Sequence, residues 1–376
     1  MGKHLVMVGG GHAHMTTMAR LREFIQRGHR VTLIGPSPYH YYSGMGPGML
    51  SGMYKPGETR FHVKKMVEDR GASFAQDTVV KVDPGRRILF LSGGGEIEYD
   101  VVSFNIGSNV PLGTWKLPEK CVFTVKPIEN LVRARQMVME LIGNGTPELL
   151  VIGGGPGGLE IAGNLWRVVH DHGELARITV LAGRKFCARL PAKARRLAKA
   201  SLTNRDMAVV EGSYVKSVDR DRASLEDGRE YPFDLAILAL GVKPPPVFSA
   251  SGLSTGQDGG LLVNAYLQSV DHPEIFGGGD CISFKERPLD KVGVYALRQN
   301  VILYENMMAS LDQGKMRPFQ PPSGYTLIFN LGDGQGIFWR GGFVWGGRFP
   351  FWIKDYIDRK FMRRFQVSGE REEQES

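Results

Sequence analysis

The chain has 376 residues, enough for two ordinary domains, and 42% of them are hydrophobic, which supports globular cores. A formal charge of +8 admits anionic cofactors, anionic lipid or nucleic acid as partners, but no nucleic-acid-binding module is visible. No apolar run approaches the ~18–20 residues of a membrane span, and the first strand is expected to start too early for a signal peptide to precede it.

The first predicted element, Leu5-Val6-Met7-Val8, is an apolar run of the kind buried in a parallel sheet. It leads straight into Gly9-Gly10-Gly11-His12-Ala13-His14. Small residues there let the backbone approach a pyrophosphate, and a helix starting at that turn offers free N–H groups and the positive end of its dipole. β-rich stretches follow at Thr78–Val82, Arg87–Leu91 and Glu96–Tyr99. Then comes Asp100, an apolar strand, and Gly107 seven positions on. The whole pattern repeats. Leu149-Leu150-Val151-Ile152 leads into Gly153-Gly154-Gly155-Pro156-Gly157-Gly158, with β-rich stretches at Ser213–Val218 and Arg222–Leu225. Asp234 through Gly241 closes this copy with the same spacing. A duplicated unit of domain size predicts two dinucleotide sites.

Pro111 to Pro127 reads as the linker into the second copy, and Lys243-Pro244-Pro245-Pro246 as the return crossing, because proline continues neither helix nor ladder. The chain re-enters the first unit through Gly260–Asn264 and Glu274–Asp280, and Val294–Leu311 reads as a helix. The expected fold is α/β, with two Rossmann-like dinucleotide-binding domains. The second (111–243) is inserted into the first (1–110 and 244–324), followed by a C-terminal extension (325–368) and a polar, disordered tail (369–376). In the extension Phe349, Ile353, Ile357, Phe361 and Phe365 recur every four residues, and five Lys or Arg against two Asp give Phe351–Phe365 a local charge of +3. This reads as a basic interfacial helix, or else as a helix docked on the protein's own core or on a second copy. Cys121, Cys187 and Cys281 form no close pair, which suits a reducing cytoplasm and argues against a redox disulfide or a zinc site.

With these motifs the chain resembles the two-dinucleotide-binding FAD/NAD(P) oxidoreductases. Within them it resembles type II NADH dehydrogenases, sulfide:quinone reductases and the flavoprotein fused to selenophosphate synthetase. The segments that carry the resemblance are Gly9–His14, Tyr41–Gly48, Ile275–Asp280, Gly293–Gln299 and Lys354–Met362. It implies FAD on the first fingerprint, cradled by Gly9, Gly11, His12 and Ala13, with His14 replacing the third glycine. Ser37 stands where an acid usually holds a ribose, Asn105 and Gly107 pack along the FAD, and Gly279 and Asp280 meet the ribityl hydroxyls. It implies NAD(P)H on the second fingerprint, held by Gly153, Gly155, Gly158 and Gly241, with Glu160 near the nicotinamide ribose. The ribose-binding acid is missing there too, and Arg184 and Lys185 follow instead. They suit the 2′-phosphate of NADPH, the other reading being a solvated loop. Arg298 and Gln299 are implied beside the flavin ring and acceptor pocket. The implied activity is an FAD-dependent NAD(P)H dehydrogenase, with hydride passing from nicotinamide C4 to flavin N5 and electrons onward to a quinone or similar small acceptor. The implied setting is the cytoplasm or the inner face of a membrane, with an anionic lipid surface or a second copy of the chain as partner, and no metal. A flavoprotein reductase of sulfur or selenium metabolism, and a redox sensor resembling apoptosis-inducing factor, are the alternatives.

Overall fold

The structure, a computed structural model, describes residues 2–370 apart from Thr114, Lys116 and Glu119. β1 (His4–Val8), β2 (Arg30–Gly35), β3 (Ser73–Gln76) and β4 (Val101–Phe104) begin a parallel sheet. In β1 and β4 every residue is buried, on both faces of the sheet, which is why they read as mainly hydrophobic runs, interrupted in β4 only by Ser103 and preceded in β1 by His4. The chain then builds a second parallel sheet from β5 (Val122–Thr124), β6 (Glu148–Ile152), β7 (Arg177–Leu181), β8 (Ala208–Val210) and β9 (Leu235–Leu238). Helix α1 (Pro156–Asp171) follows the second glycine turn. β10 (Ile275–Gly277) rejoins the first sheet beside β4, and helix α2 (Gly293–Asp312) comes after it. The orders are β10-β4-β1-β2-β3 and β5-β9-β6-β7-β8, so the two sheets match strand for strand. Each copy also carries a three-stranded antiparallel leaf; the three strands of the first fall on the predicted β-rich stretches, while the third strand of the second, Glu230–Pro232, went unpredicted.

The repeated Asp has a structural cause. Asp100 accepts the backbone N–H of His4 at 2.7 Å, and Asp234 accepts that of Glu148 at 2.8 Å. Each carboxylate ties the closing strand of its copy to the first residue of the fingerprint strand. The register this holds sets Asn105 and Ala239 beside the two glycine turns, their N–H groups donating to the carbonyls of Val8 and Ile152.

Two expectations change here. β5 lies inside the stretch read as linker, yet it is the edge strand of the second sheet, parallel to β9. Three residues are too few to show a period. Two residues of the predicted tail, Gly369 and Glu370, are described, and Glu370 is tied to the body of the protein. Glu370 is 1% exposed, and its carboxylate accepts the N–H groups of His62 and Ser368. Residues 371–376 lie outside the described ones.

The C-terminal piece consists of the antiparallel strands β11 (Leu327–Asn330), β12 (Gly336–Arg340) and β13 (Phe343–Gly347) and helix α3 (Arg348–Phe365). It is built into both cores. Phe329, Leu331, Ile337 and Val344 pack with the second domain, and Met362 and Phe365 with the first. Its backbone approaches α1 so closely that a Cβ on Gly163 would lie 2.2 Å from the Leu331 carbonyl oxygen. The apolar stripe on α3 also needs correction. With 3.6 residues per turn, each four-residue step drifts by about 40°, so Phe349 and Phe365 end on nearly opposite faces. Phe365 is buried, while Phe349, Trp352 and Tyr356 are 52%, 61% and 59% exposed. These three, spaced by three and four residues, are the outward stripe, and Lys360, Arg363 and Arg364 are exposed beyond them.

Candidate active site

A cleft of about 670 Å³ opens beyond the C-terminal ends of β1 and β4, where open α/β sheets bind their ligands. Gly9, Gly11, His12, Ser37, Asn105, Gly107, Gly279 and Asp280 all line it; of the residues predicted for the first site, only Ala13 does not.

Two of the predicted residues hold the turn together. Ala13 gives its N–H to Asn105 Oδ1 at 2.9 Å, and Asn105 Nδ2 donates to the Gly278 carbonyl at 2.6 Å. The Ala13 donor and the Asn105 amide are thus committed to joining the glycine turn, β4 and β10. A Cβ on Gly11 would sit 2.2 Å from Asn105 Oδ1, so this clamp requires glycine there. His14 is likewise structural. One ring nitrogen meets the Gly9 carbonyl at 2.7 Å and the other Ser103 Oγ at 2.8 Å. Burial brings its pKa down to about 4, against the Gly9 hydrogen bond, so it stays uncharged.

Asp280 and Lys126 form an ion pair on the cleft wall. Burial works against the ionisation of Asp280, but Lys126, with the Ser108 hydroxyl, outweighs that and holds its pKa below the usual carboxylate value. Lys126 Nζ lies 2.9 Å from Asp280 Oδ2, and Ser108 donates to the same oxygen at 2.8 Å. Lys126 lines the cleft and went unpredicted, because it sits alone at the end of the apparent linker.

Arg298 and Gln299 part company. Consecutive helical residues point about 100° apart. Neither residue is among those that line the cleft, and Arg298 is exposed. Gln299 is 1% exposed, accepts the Gly279 N–H at 2.7 Å, and leaves its buried Nε2 without a partner among the described residues. An acceptor-only carboxylate and a glycine-lined floor form a set that fits a phosphorylated polyol such as FAD.

The second glycine turn sits at the N-terminus of α1, with Gly155 as N-cap and Pro156 opening the helix. No atom lies within 4 Å of a Cβ built on Gly155, so the space before the helix end is open. Gly158 meets the turn itself, since its Cβ would be 1.8 Å from the Gly153 carbonyl oxygen. Arg184 and Lys185 are exposed just past β7, the Arg184 guanidinium lying 5.7 Å from the Tyr214 ring centroid, and Gly241 is exposed at the end of the β9 segment. Such a helix end suits a nicotinamide dinucleotide.

Glu160, in the first turns of α1, is bound to the C-terminal piece. Its carboxylate accepts the Asn330 N–H at 2.7 Å, at the junction with the C-terminal piece. Burial pushes its pKa up to about 7, against Lys354 and the Asn330 hydrogen bond. Lys354 reaches back from α3 to donate to the Gly44 carbonyl and Asp358 Oδ2, both at 2.7 Å, and Asp358 Oδ1 accepts the Tyr42 hydroxyl at 3.0 Å. Burial opposes the Lys354 charge, but Asp358 and Glu160 outweigh it.

The three cysteines are free, and burial raises every thiol pKa, that of Cys187 to about 12 and that of Cys281 to about 11. Among the described residues no cluster of three His, Cys, Asp or Glu side chains is placed to hold a metal ion.

A family model described as pyridine nucleotide-disulphide oxidoreductase matches residues 3–304. The chain is similar to the ferroptosis suppressor protein 1 of Taeniopygia guttata, 27% identical over 287 residues that make up 71% of each chain. It is similar to the sulfide-quinone reductase of Aquifex aeolicus, 22% identical over 297 residues, 74% of this chain and 68% of that one. Among solved structures, the sulfide:quinone oxidoreductase of Aquifex aeolicus superposes with a TM-score of 0.80 at 18% identity, covering 98% of this chain and 92% of the other. NDH2 from Plasmodium falciparum in complex with NADH gives 0.79 at 13% identity, with 98% of both chains covered.

Proposed function

The chain belongs to the pyridine nucleotide-disulphide oxidoreductase family, and from that premise we propose that it is an FAD-dependent NAD(P)H dehydrogenase that reduces a quinone or similar small acceptor. One observation carries the reading. The first glycine turn and the ionised Asp280, with Lys126 beside it, converge on a single cleft, while a second glycine turn opens its own helix end. Bound flavin and nicotinamide supply the electron chemistry. The residues supply position and charge. The Gly9–Gly11 backbone approaches a pyrophosphate, Asp280 accepts from ribityl hydroxyls, and Lys126 keeps Asp280 ionised. Gly153 to Gly158 and the α1 N-terminus receive the nicotinamide dinucleotide, and Arg184 and Lys185 meet a 2′-phosphate. Overall, NAD(P)H, one proton and a quinone give NAD(P)⁺ and a quinol. The sulfide-quinone reductase relative carries quinone in its name and the NDH2 neighbour holds NADH, which supports both substrate classes here. The raised thiol pKa values favour this reading over a persulfide route, which needs a thiolate.

A quinone lives in lipid, and this gives the outward stripe of α3 a role. Phe349, Trp352 and Tyr356 would rest in the interface of an anionic bilayer with Lys360, Arg363 and Arg364 at its headgroups, each base contributing about 1 kcal/mol at low salt. No helix among the described residues is long and apolar enough to cross a membrane. Purified protein should be yellow and release FAD in acid, with the flavin bleached by NADH or NADPH and restored by a benzoquinone. A colourless protein that FAD cannot reconstitute refutes the cofactor. A flavin that nicotinamide bleaches and no quinone reoxidises refutes the acceptor.

A further inference from the structure

The turn after the first fingerprint and the short strand His40–Tyr41 bring two imidazoles together on the wall of the flavin cleft. The ring centroids of His12 and His40 are 5.1 Å apart, with planes at 74°. Tyr42 and Phe361 pack against His12, at 5.0 and 5.8 Å. The Nε2 atoms of both histidines are buried, and neither has a hydrogen-bond partner among the described residues. Buried polar atoms are almost always paired, so two orphans side by side on a cleft wall indicate a partner that arrives through the cleft. His14 shows that the fold can satisfy a histidine here, since both its ring nitrogens are used. Burial brings the His12 pKa down to about 4, against Asp280 and with Lys126, and brings that of His40 to about 3, with His12 and Lys126 adding to the effect. Both rings are therefore uncharged at neutral pH. A neutral imidazole donates from one nitrogen and accepts at the other, so it can hold an oxygen both as carbonyl and as hydroxyl.

We propose that His12 and His40 form a receiving pair for a redox-active ring oxygen in this cleft. The oxygen belongs either to a quinone-type acceptor or to the flavin ring itself, and the assignment rests on the dehydrogenase reading above. The test uses FAD-loaded protein with His40→Phe, which keeps a ring and removes the nitrogens, and His40→Gln, which restores a donor and an acceptor. Reduced protein is mixed anaerobically with a water-soluble benzoquinone or with ferricyanide, which has no ring oxygen; FAD affinity and the flavin absorption band are measured in parallel. If the oxygen is the acceptor's, His40→Phe slows quinone reoxidation by about tenfold, the loss of roughly one hydrogen bond, and leaves ferricyanide, FAD affinity and the band unchanged. If it is the flavin's, FAD affinity falls by about tenfold and the band shifts. In either case His40→Gln recovers most of the change. The proposal is overturned if His40→Phe moves neither readout, or if His40→Gln is as impaired as His40→Phe. Should wild-type protein fail to reduce any quinone, the acceptor reading falls, while FAD affinity and the band still decide whether the pair serves the flavin. If His40→Phe does not fold, the histidine ¹⁵N resonances of wild-type protein take its place. Movement of the His12 and His40 signals on adding FAD or quinone supports the pair, and unmoved signals refute it.

Discussion

Lys354→Met removes a cation that three parts of the molecule share. Its ammonium donates to the Gly44 carbonyl and to Asp358, and its charge acts on Glu160 in α1. The side chains of Lys354 and Asp358 are 12% and 6% exposed, so solvent screens the pair poorly. Methionine matches the stem and leaves Asp358 buried without a counter-charge. Breaking such a pair from one side costs about 3–5 kcal/mol, whereas replacing both partners by apolar groups costs far less. Lys354→Met should therefore lower the urea midpoint by at least about 1 M. Adding Asp358→Leu should restore much of the loss, a coupling that a double-mutant cycle measures directly. The pH dependence has a definite sign. The Glu160 pKa is raised from 4.5 to about 7 in the folded state, so its favourable contribution is full below pH 4.5 and lost as pH rises through 7. Without Lys354 to oppose it that pKa climbs further, so the deficit of the variant should widen from pH 5 to pH 8. Urea melts followed by tryptophan fluorescence across that range provide the assay. A loss below about 1 kcal/mol, additive single-site effects, or a pH-independent deficit would refute the reasoning.

Asp280→Ala should weaken FAD binding by about 1.5–3 kcal/mol, the worth of hydrogen bonds to a charged acceptor; unchanged retention through gel filtration and dialysis would remove Asp280 from the flavin site. Arg184→Ala should raise KM for NADPH more than for NADH, and equal effects in steady-state assays would show that Arg184 does not read a 2′-phosphate. Trp352→Glu with Tyr356→Glu should abolish sedimentation with anionic liposomes at low salt while FAD stays bound. If wild-type protein ignores such liposomes, the stripe is not a lipid surface. Deleting α3 would be a poorer test, because its inner face carries Asp358, Met362 and Phe365 into the first domain.

The parallel cores were legible because strands covered on both faces are written as unbroken apolar runs, as in Leu5–Val8 and Leu149–Ile152. The repeat was equally plain, but its cause was not, since Asp100 acts on an N–H group 96 positions earlier. Lys126 carried no signal at all; its work is done on Asp280, 154 positions later, across the inserted domain. Arg298 and Gln299 could not be told apart as neighbours in a sequence, and only the packing of α2 turns one to solvent and the other inward onto the Gly279 N–H. On α3 the amphipathic character was readable, yet a four-residue count assigned Phe361 and Phe365 to the face they do not occupy. His40 drew no reading from the sequence, and its unpaired nitrogen becomes visible only beside His12.

The insertion of one domain into the other has a consequence for the order in which a ribosome completes them. Every strand of the second sheet lies between residues 122 and 238, so that sheet can assemble from one uninterrupted stretch of nascent chain. The first sheet must wait for residue 275 to add its last strand beside β4, which ended at residue 104. At ordinary synthesis rates the interval is roughly 10–35 s. Through that time β4 presents an uncovered edge, and the Asn105 amide has no Gly278 carbonyl to meet. The cleft, begun by the first residues made, is therefore completed only after every strand of the second sheet has been made, so that on the reading proposed above cofactor loading would be a late event in the life of the chain.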